Sequence, residues 1–285
     1  MRRVTDLNST QEFRRQFKVA ELSRRPLVAL RFTLTRLNIV SEKPRLVRDY
    51  VFPVMTVDIQ GATWHYKSFL GTGFLIGRRG YALTAAHVIE NGGSGPRLGG
   101  ITHQIVAAFV LESHEWKGYI IDNAEFHPEH DIALIHLHFS PDPPPRSFLP
   151  LSETTENASR TYSQWCYPKD ILHEIVVNGH ALQRPDLVYL EGYVRRRMSN
   201  ISLPMIRGHT FFELSTPGGL GASGSPLIAK DTPDGHWPVF SIYVGERKSE
   251  KDLSVGYGVP SEAFRDWAPQ CLGGRTLLEE SQVER

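Results

Sequence analysis

From Pro26 to about Pro260 the chain is a succession of short β-type runs, each cut off by Gly, Pro or Asp. The main ones are LVALRFTLTRL, YVFPVMTVDI, GTGFLI, YALTAA, QIVAAFVL, GYIID, DIALIHLHF, TYSQWCYP, LVYLEGYV, FFELST, SPLIAK and PVFSIYVG. Runs this short and this closely spaced leave no room for crossover helices. They imply an all-β, antiparallel architecture, either barrels or a sandwich. Helical patterns are confined to TQEFRRQFKVAELSRR near the start, with Thr10 as a cap and Glu12 in its first turn, and to SEAFRDWAPQC near the end.

One break divides the pattern. SPDPPPRSFLP, residues 140–150, cannot lie inside a central strand, because proline donates no ladder hydrogen bond. It reads as the connection between two lobes of comparable size. Asn91–Gly100 (NGGSGPRLGG) reads as a flexible surface loop, and APQCLGGR as another before a charged tail.

Composition narrows the function. With 285 residues, 40% hydrophobic and 22% charged, the chain is long enough for two substantial cores. A formal net charge of +1 provides no field for nucleic acid or an anionic membrane. No early apolar run resembles a secretory h-region and no segment is long enough to span a bilayer, which points to a cytoplasmic location. Two cysteines, Cys166 and Cys271, make no disulfide framework and read as thiols.

Three segments carry chemistry. In GTGFLIGRRGYALTAAHVI, His87 follows a strand–turn–strand on what reads as one helical turn. In FHPEHDIALIHL, Asp131 opens an apolar run long enough for a buried strand. In GGLGASGSPLI, Ser223 lies among Gly218, Gly219, Gly221 and Gly224. Acyl transfer by a serine hydroxyl needs a base to take its proton, and an acceptor to hold that base's other nitrogen. It also needs backbone N–H groups aimed at the developing oxyanion. A glycine-rich bend reaches the backbone conformations that the last requirement demands.

TAAHV, DIAL and GASGSP, in the order His, Asp, Ser, resemble the three motifs of the trypsin/chymotrypsin superfamily of serine proteases. The likeness covers about residues 30 to 268. It implies two antiparallel six-stranded β-barrels with a short C-terminal helix. Residues 1–29 are then an N-terminal extension, 30–150 the first barrel with His87 and Asp131, 151–268 the second with Ser223, and 269–285 a tail. It further implies His87 as general base, Asp131 as its orienting partner, Ser223 as nucleophile, and the N–H groups of Gly221 and Ser223 as oxyanion hole. Pro217, Gly218, Tyr243, Val244 and Gly245 would contact a polypeptide substrate.

Departures from the family pattern sharpen this. Trypsin-type zymogens use an Asp just before the serine for activation; here Ala222 stands there. The Gly-Ser-Pro ending, the Cys166-Tyr167-Pro168 strand and the few cysteines are more similar to bacterial glutamyl-endopeptidase-like and HtrA-like members. Pro217 occupies the position of the trypsin specificity Asp, and Tyr243 that of the glutamyl-endopeptidase His, so neither basic nor acidic preference is implied. An uncharged pocket for small or apolar side chains is expected, with Glu246 at its rim. A regulatory protein docking on residues 1–29, in a stress or defence pathway, fits an intracellular protease. The alternative is a silent or autoinhibited double barrel that binds peptides. His103, His114, His127, His130, His136 and His138 raise the question of zinc, but no His or Cys pair of recognised ligand spacing completes a site. No metal and no cofactor are expected.

Overall fold

The structure, a computed structural model, describes residues 16–18, 47–61, 63–93, 95–97, 101–110, 116–139, 148–169, 172–177, 180–230, 237–248 and 254–282. The first half supplies β1 (Gln16–Lys18), β2 (Val51–Gln60), β3 (Thr63–Leu75), β4 (Tyr81–Thr84), β5 (Gly95–Arg97), β6 (Ile101–Val110), β7 (Trp116–Phe126) and β8 (Ala133–Leu137). A single helical stretch, α1 (Ala86–Glu90), interrupts them. β2 pairs with β3 and β6, β6 with β7, β7 with β8, and β8 with β4. β4 returns to β3 and closes an antiparallel ring of six strands. Closure removes the open edges that would invite aggregation.

The second half forms β9 (Thr161–Cys166), the hairpin β10 (Leu172–Val177) and β11 (His180–Pro185), β12 (Val188–Ser199), β13 (Thr210–Leu214), β14 (Pro226–Ala229), β15 (Val239–Lys248) and β16 (Ser254–Pro260). Strands β12, β13, β16, β15, β14 and β9 make a second closed barrel. The all-β double barrel expected from the motifs is therefore the fold.

Alternation explains the cores. β12 has the mixed exposure of a strand with one face to water, whereas β2 is buried on both faces through Asp58. One side of β2 fills the first barrel, where the Phe52 and Phe109 rings lie 5.0 Å apart. At its start β2 also meets the second lobe, where the Tyr167 hydroxyl donates to the Val51 carbonyl at 3.4 Å. Tyr162, Phe212 and Phe240 fill the second barrel. Each such buried ring contributes about 1.5–3 kcal/mol over leaving it in water.

Four sequence expectations need correction. Gln16–Lys18 is not helical but pairs as β1 with Thr63–His65, where the edge of β3 not yet joined to β4 leaves backbone groups open. The rest of the expected first helix, and the run LVALRFTLTRL, lie outside the described residues. Asn91–Gly100 contains strand β5, laid along Ile101–His103. SEAFRDWAPQC forms two short 3-10 turns, Ser261–Ala263 and Gln270–Leu272, rather than one helix; Pro269 and the left-handed Gly273 frame the second.

The α-helix lies further on, at α2 (Leu277–Gln282), inside the segment read as a charged tail. It packs on the first barrel: Glu280 is fully buried and ion-paired with Arg79. The Ser281 hydroxyl accepts the Leu151 N–H at 3.1 Å. A Cβ at Gly77 would come 2.7 Å from Glu280 Oε1, so that glycine is what admits the carboxylate. Among the described residues no helix is long and apolar enough to cross a membrane.

Candidate active site

A five-residue helix has more orphan N–H groups than it can satisfy itself. At the start of α1 Ala85 offers no side-chain cap, and Asp131 does the capping from the turn ahead of β8. Its carbonyl accepts the Ala86 N–H at 3.3 Å and its Oδ1 the His87 N–H at 3.0 Å. Its other oxygen, Oδ2, lies 2.6 Å from His87 Nδ1. An acceptor-only carboxylate there assigns the proton to Nδ1 and leaves Nε2 as the basic nitrogen. Asp131 is 3% exposed, and the His87 side chain 35%. The acid is thus enclosed while the imidazole keeps an open face. The Asp131 N–H is itself fixed, donating to the Arg207 carbonyl of the second lobe at 2.9 Å.

The Ser223 loop is seated against the same corner. The Ser223 carbonyl accepts the Thr72 N–H at 2.8 Å, and the Gly224 N–H donates to the Tyr243 carbonyl at 2.7 Å. Gly224 has φ +88°, and a Cβ on it would lie 2.1 Å from the Thr72 carbonyl oxygen and 2.9 Å from Ala85 N. Only glycine lets the loop come this close to the chain leading into His87. The structure therefore brings His87 and Asp131 into direct contact and seats the Ser223 loop against the chain leading into His87. A hydrogen bond between His87 Nε2 and Ser223 Oγ is not among those made by the described residues. In unliganded serine sites this contact is commonly long and tightens with substrate.

Two amides of the loop point away from the protein's own acceptors. Ala222 N–H is spent on the Gly219 carbonyl and Gly224 N–H on Tyr243. Those of Gly221 and Ser223 have no partner among the described residues. The Leu220 carbonyl accepts the Lys169 N–H at 2.6 Å. The trans peptide turns the Gly221 N–H the opposite way.

Thr72, which the motif reading passed over, holds this arrangement. Its hydroxyl donates to the Gly221 carbonyl at 2.9 Å and accepts the Tyr167 N–H at 3.0 Å. Its flanking glycines were the available signal: a Cβ at Gly71 would come 2.8 Å from the Ser223 carbonyl oxygen.

Beyond the serine, Pro217 and Gly218 face β15. The Tyr243 ring, fully buried, fills the space between them and β16. Its hydroxyl accepts the Gly218 N–H at 2.9 Å. A Cβ at Gly218 would lie 3.1 Å from Tyr243 Cζ, and one at Gly256 2.9 Å from its Cε2. Burial, ahead of all else, raises the phenol's pKa well above its ordinary value, so it stays a neutral hydroxyl. Glu246 closes the rim, accepting the Gly219 N–H at 3.2 Å. Strand β14 leaves β15 after Ile242, so from Val244 onward β16 is the only strand paired with β15 among the described residues, which leave its other edge open.

A second group of side chains sits next to Asp131. His130 is 1% exposed, and its pKa is pushed down to about 4, by burial first and by His127 and His209 after it. Glu129, His130 and His209 bring ligand-type atoms within 4.8 Å of one another. His209 lies far from the others in sequence, so no spacing rule could have grouped them. His136 and His138 share the Asp122 carboxylate, at 2.7 and 3.3 Å.

A family model described as a trypsin-like peptidase domain matches residues 71–233, over half of the chain. A comparison with curated proteins gave no match. Among solved structures the chain is similar to the HtrA-type protease AlgW with a decapeptide, at 14% identity and TM-score 0.50, over 76% of this chain and 62% of that one. It is also similar to the MamO protease domain from Magnetospirillum magneticum, at 13% identity and TM-score 0.49, over 76% and 94%. A third is the inactive serine-to-alanine form of Rv3671c from M. tuberculosis H37Rv, at 16% identity and TM-score 0.45, over 84% and 90%.

Proposed function

This chain belongs to the trypsin-like peptidase domain family, and from that premise we propose that it is a serine endopeptidase acting through Ser223. The observation that carries the reading is the double hold of the buried Asp131 on His87, one oxygen on its backbone and one on its ring. Ser223 Oγ attacks the peptide carbonyl while His87 Nε2 takes its proton. Asp131 stabilises the imidazolium that results. The N–H groups of Gly221 and Ser223 receive the carbonyl oxygen as it gains charge. The tetrahedral adduct collapses, the C–N bond breaks, and the amine leaves with the proton from Nε2. Water, deprotonated by the same nitrogen, then releases the acyl group and restores Ser223.

Activation by a cut N-terminus has no place in this reading. Ala222 is buried, and a Cβ on Gly218 would approach the Ala222 Cβ to 2.6 Å, so that corner is full and holds no acidic side chain at position 222. Thr72 and Lys169 order the loop instead. The substrate class is polypeptide, laid as an added strand along the open edge of β15 from Val244. AlgW, solved with a decapeptide, shares the fold. With the Tyr243 ring filling the space between Gly218 and Gly256, the side chain before the scissile bond is small: glycine, alanine or serine.

A second reading, a peptide-binding double barrel without turnover, draws on the unmade His87–Ser223 hydrogen bond. A fluorophosphonate probe separates the two. The protease reading expects covalent labelling of the folded chain that disappears in Ser223→Ala and falls steeply in Asp131→Asn. Labelling that persists in Ser223→Ala, or none with any small-residue peptide or activator present, overturns it.

A further inference from the structure

Proteolysis as proposed makes no use of the polar cluster beside Asp131. Glu129 and His130 come from the turn ahead of β8, and His209 from the connection between β12 and β13. The backbone holds these two segments together. Asp131 N–H donates to the Arg207 carbonyl at 2.9 Å, and Arg207 Nε donates to the His130 carbonyl at 3.3 Å. Across this junction His209 Nε2 lies 3.0 Å from Glu129 Oε2, and the His130 and His209 rings are 4.5 Å apart.

His130 is the anomaly. It is almost wholly buried, yet its Nδ1 has no hydrogen-bond partner. A buried imidazole nitrogen left unspent is costly, and such groups in native proteins call for an explanation. His127 does not supply one, since its Nδ1 already accepts the N–H groups of Glu129 and His130 at 3.2 and 3.1 Å. Room beside the nitrogen is kept open by Gly208, whose Cβ would lie 2.9 Å from His130 Nδ1.

Two imidazoles and a carboxylate form the donor set of a divalent zinc ion with one position left for water. Hard cations such as calcium and magnesium want oxygen ligands throughout. The Glu129 and His209 side chains are 65% and 50% exposed, so both can draw in towards an ion while His130 stays fixed. The far nitrogen of His209, Nδ1, is 3.0 Å from Thr210 Oγ1, the outer contact that orients a metal-binding imidazole.

We infer that Glu129, His130 and His209 bind zinc(II), pinning the Asp131 turn of the first barrel to the β12–β13 connection of the second. The test uses the full chain carrying Ser223→Ala, so self-cleavage plays no part and the outcome is independent of the proteolytic reading. After chelator treatment and dialysis, zinc is titrated in competition with a chromophoric chelator, and cobalt(II) is added in a parallel sample. The expected result is one equivalent of tight binding and visible d–d absorption from cobalt. Affinity falls at least about tenfold in Glu129→Gln and in His209→Gln. These exposed positions keep the wild-type circular dichroism spectrum, and the double variant His136→Gln/His138→Gln binds as the parent does. Absence of saturable binding overturns the inference. So does binding that survives both Glu129→Gln and His209→Gln, or that is lost in the His136/His138 variant.

Discussion

If the Tyr243 ring is what limits the residue before the cut, replacing it with valine should convert a small-residue protease into one that accepts leucine. Valine, like tyrosine, suits a strand such as β15, and it removes the ring that lies against Gly218 and Gly256. The space released is comparable to a leucine side chain, whose full burial is worth about 1.5–3 kcal/mol. Expressed in the transition state, that is roughly a 10- to 100-fold gain in kcat/KM for leucine relative to alanine. The Gly218 N–H loses its acceptor, but water can enter the opened pocket and replace it. The assay is a set of fluorogenic peptides identical except for alanine, valine, leucine or phenylalanine before the scissile bond. Tyr243→Phe serves as the control: it removes the hydroxyl, leaves the ring, and should keep the parent's preference. A Tyr243→Val enzyme that is folded, still labelled by fluorophosphonate, and unchanged in its leucine-to-alanine ratio refutes the argument.

Thr72→Val removes both the hydroxyl bond to the Gly221 carbonyl and the acceptor for Tyr167 N–H. We expect a stability loss of about 1–3 kcal/mol in urea unfolding and a kcat that falls more than KM changes. Gly224→Ala pushes a methyl towards the Thr72 carbonyl at a backbone angle that disfavours any side chain. It should lose fluorophosphonate labelling and melt at lower temperature than the parent. Cys271 is held neutral: burial first, then the neighbouring Glu125, pushes its thiol up to about 12. At pH 8 it should react with a thiol reagent far more slowly in the native chain than after denaturation. Because the unfolded thiol ionises near its ordinary value of 9.0, the stability tied to this proton is complete below that pH. It is lost as pH rises from there towards the folded value, so a Cys271→Ser chain should lose less stability on going to high pH.

The reach of the sequence differed by feature. A strand with a long apolar run, such as Val51–Gln60, or with alternation, such as Thr161–Cys166, announces itself, and so do motifs whose chemistry is local, such as TAAHV and GASGSP. β16 does not, because its glycines at 256 and 258 look like a loop. They are there because Tyr243 and Ser241 occupy the space that side chains would need. The α2 helix was hidden for a related reason: Glu280 reads as a solvated charge until Arg79, far away in sequence, is placed beside it. Within the site, the residues of the serine bend were legible from their own motifs. The buttress supplied by Thr72 left only its flanking glycines as a trace, and the meeting of Glu129, His130 and His209 is a product of folding alone.

Mechanically, the molecule is a bracket with two pins. Where the chain enters the second barrel, the Leu149 N–H is tied to the Leu75 carbonyl and the Leu151 N–H to the Ser281 hydroxyl. It then comes back, with Cys271 and Gln270 N–H groups on Glu125 and Glu280 clamped by Arg79. Prising the barrels apart would mean undoing both attachments together with the direct ties of Thr72 to Ser223 and of Asp131 to Arg207. With the lobes braced in this way, the adaptation that the proposed cleavage of different polypeptides would call for falls to the exposed Leu220 and its loop.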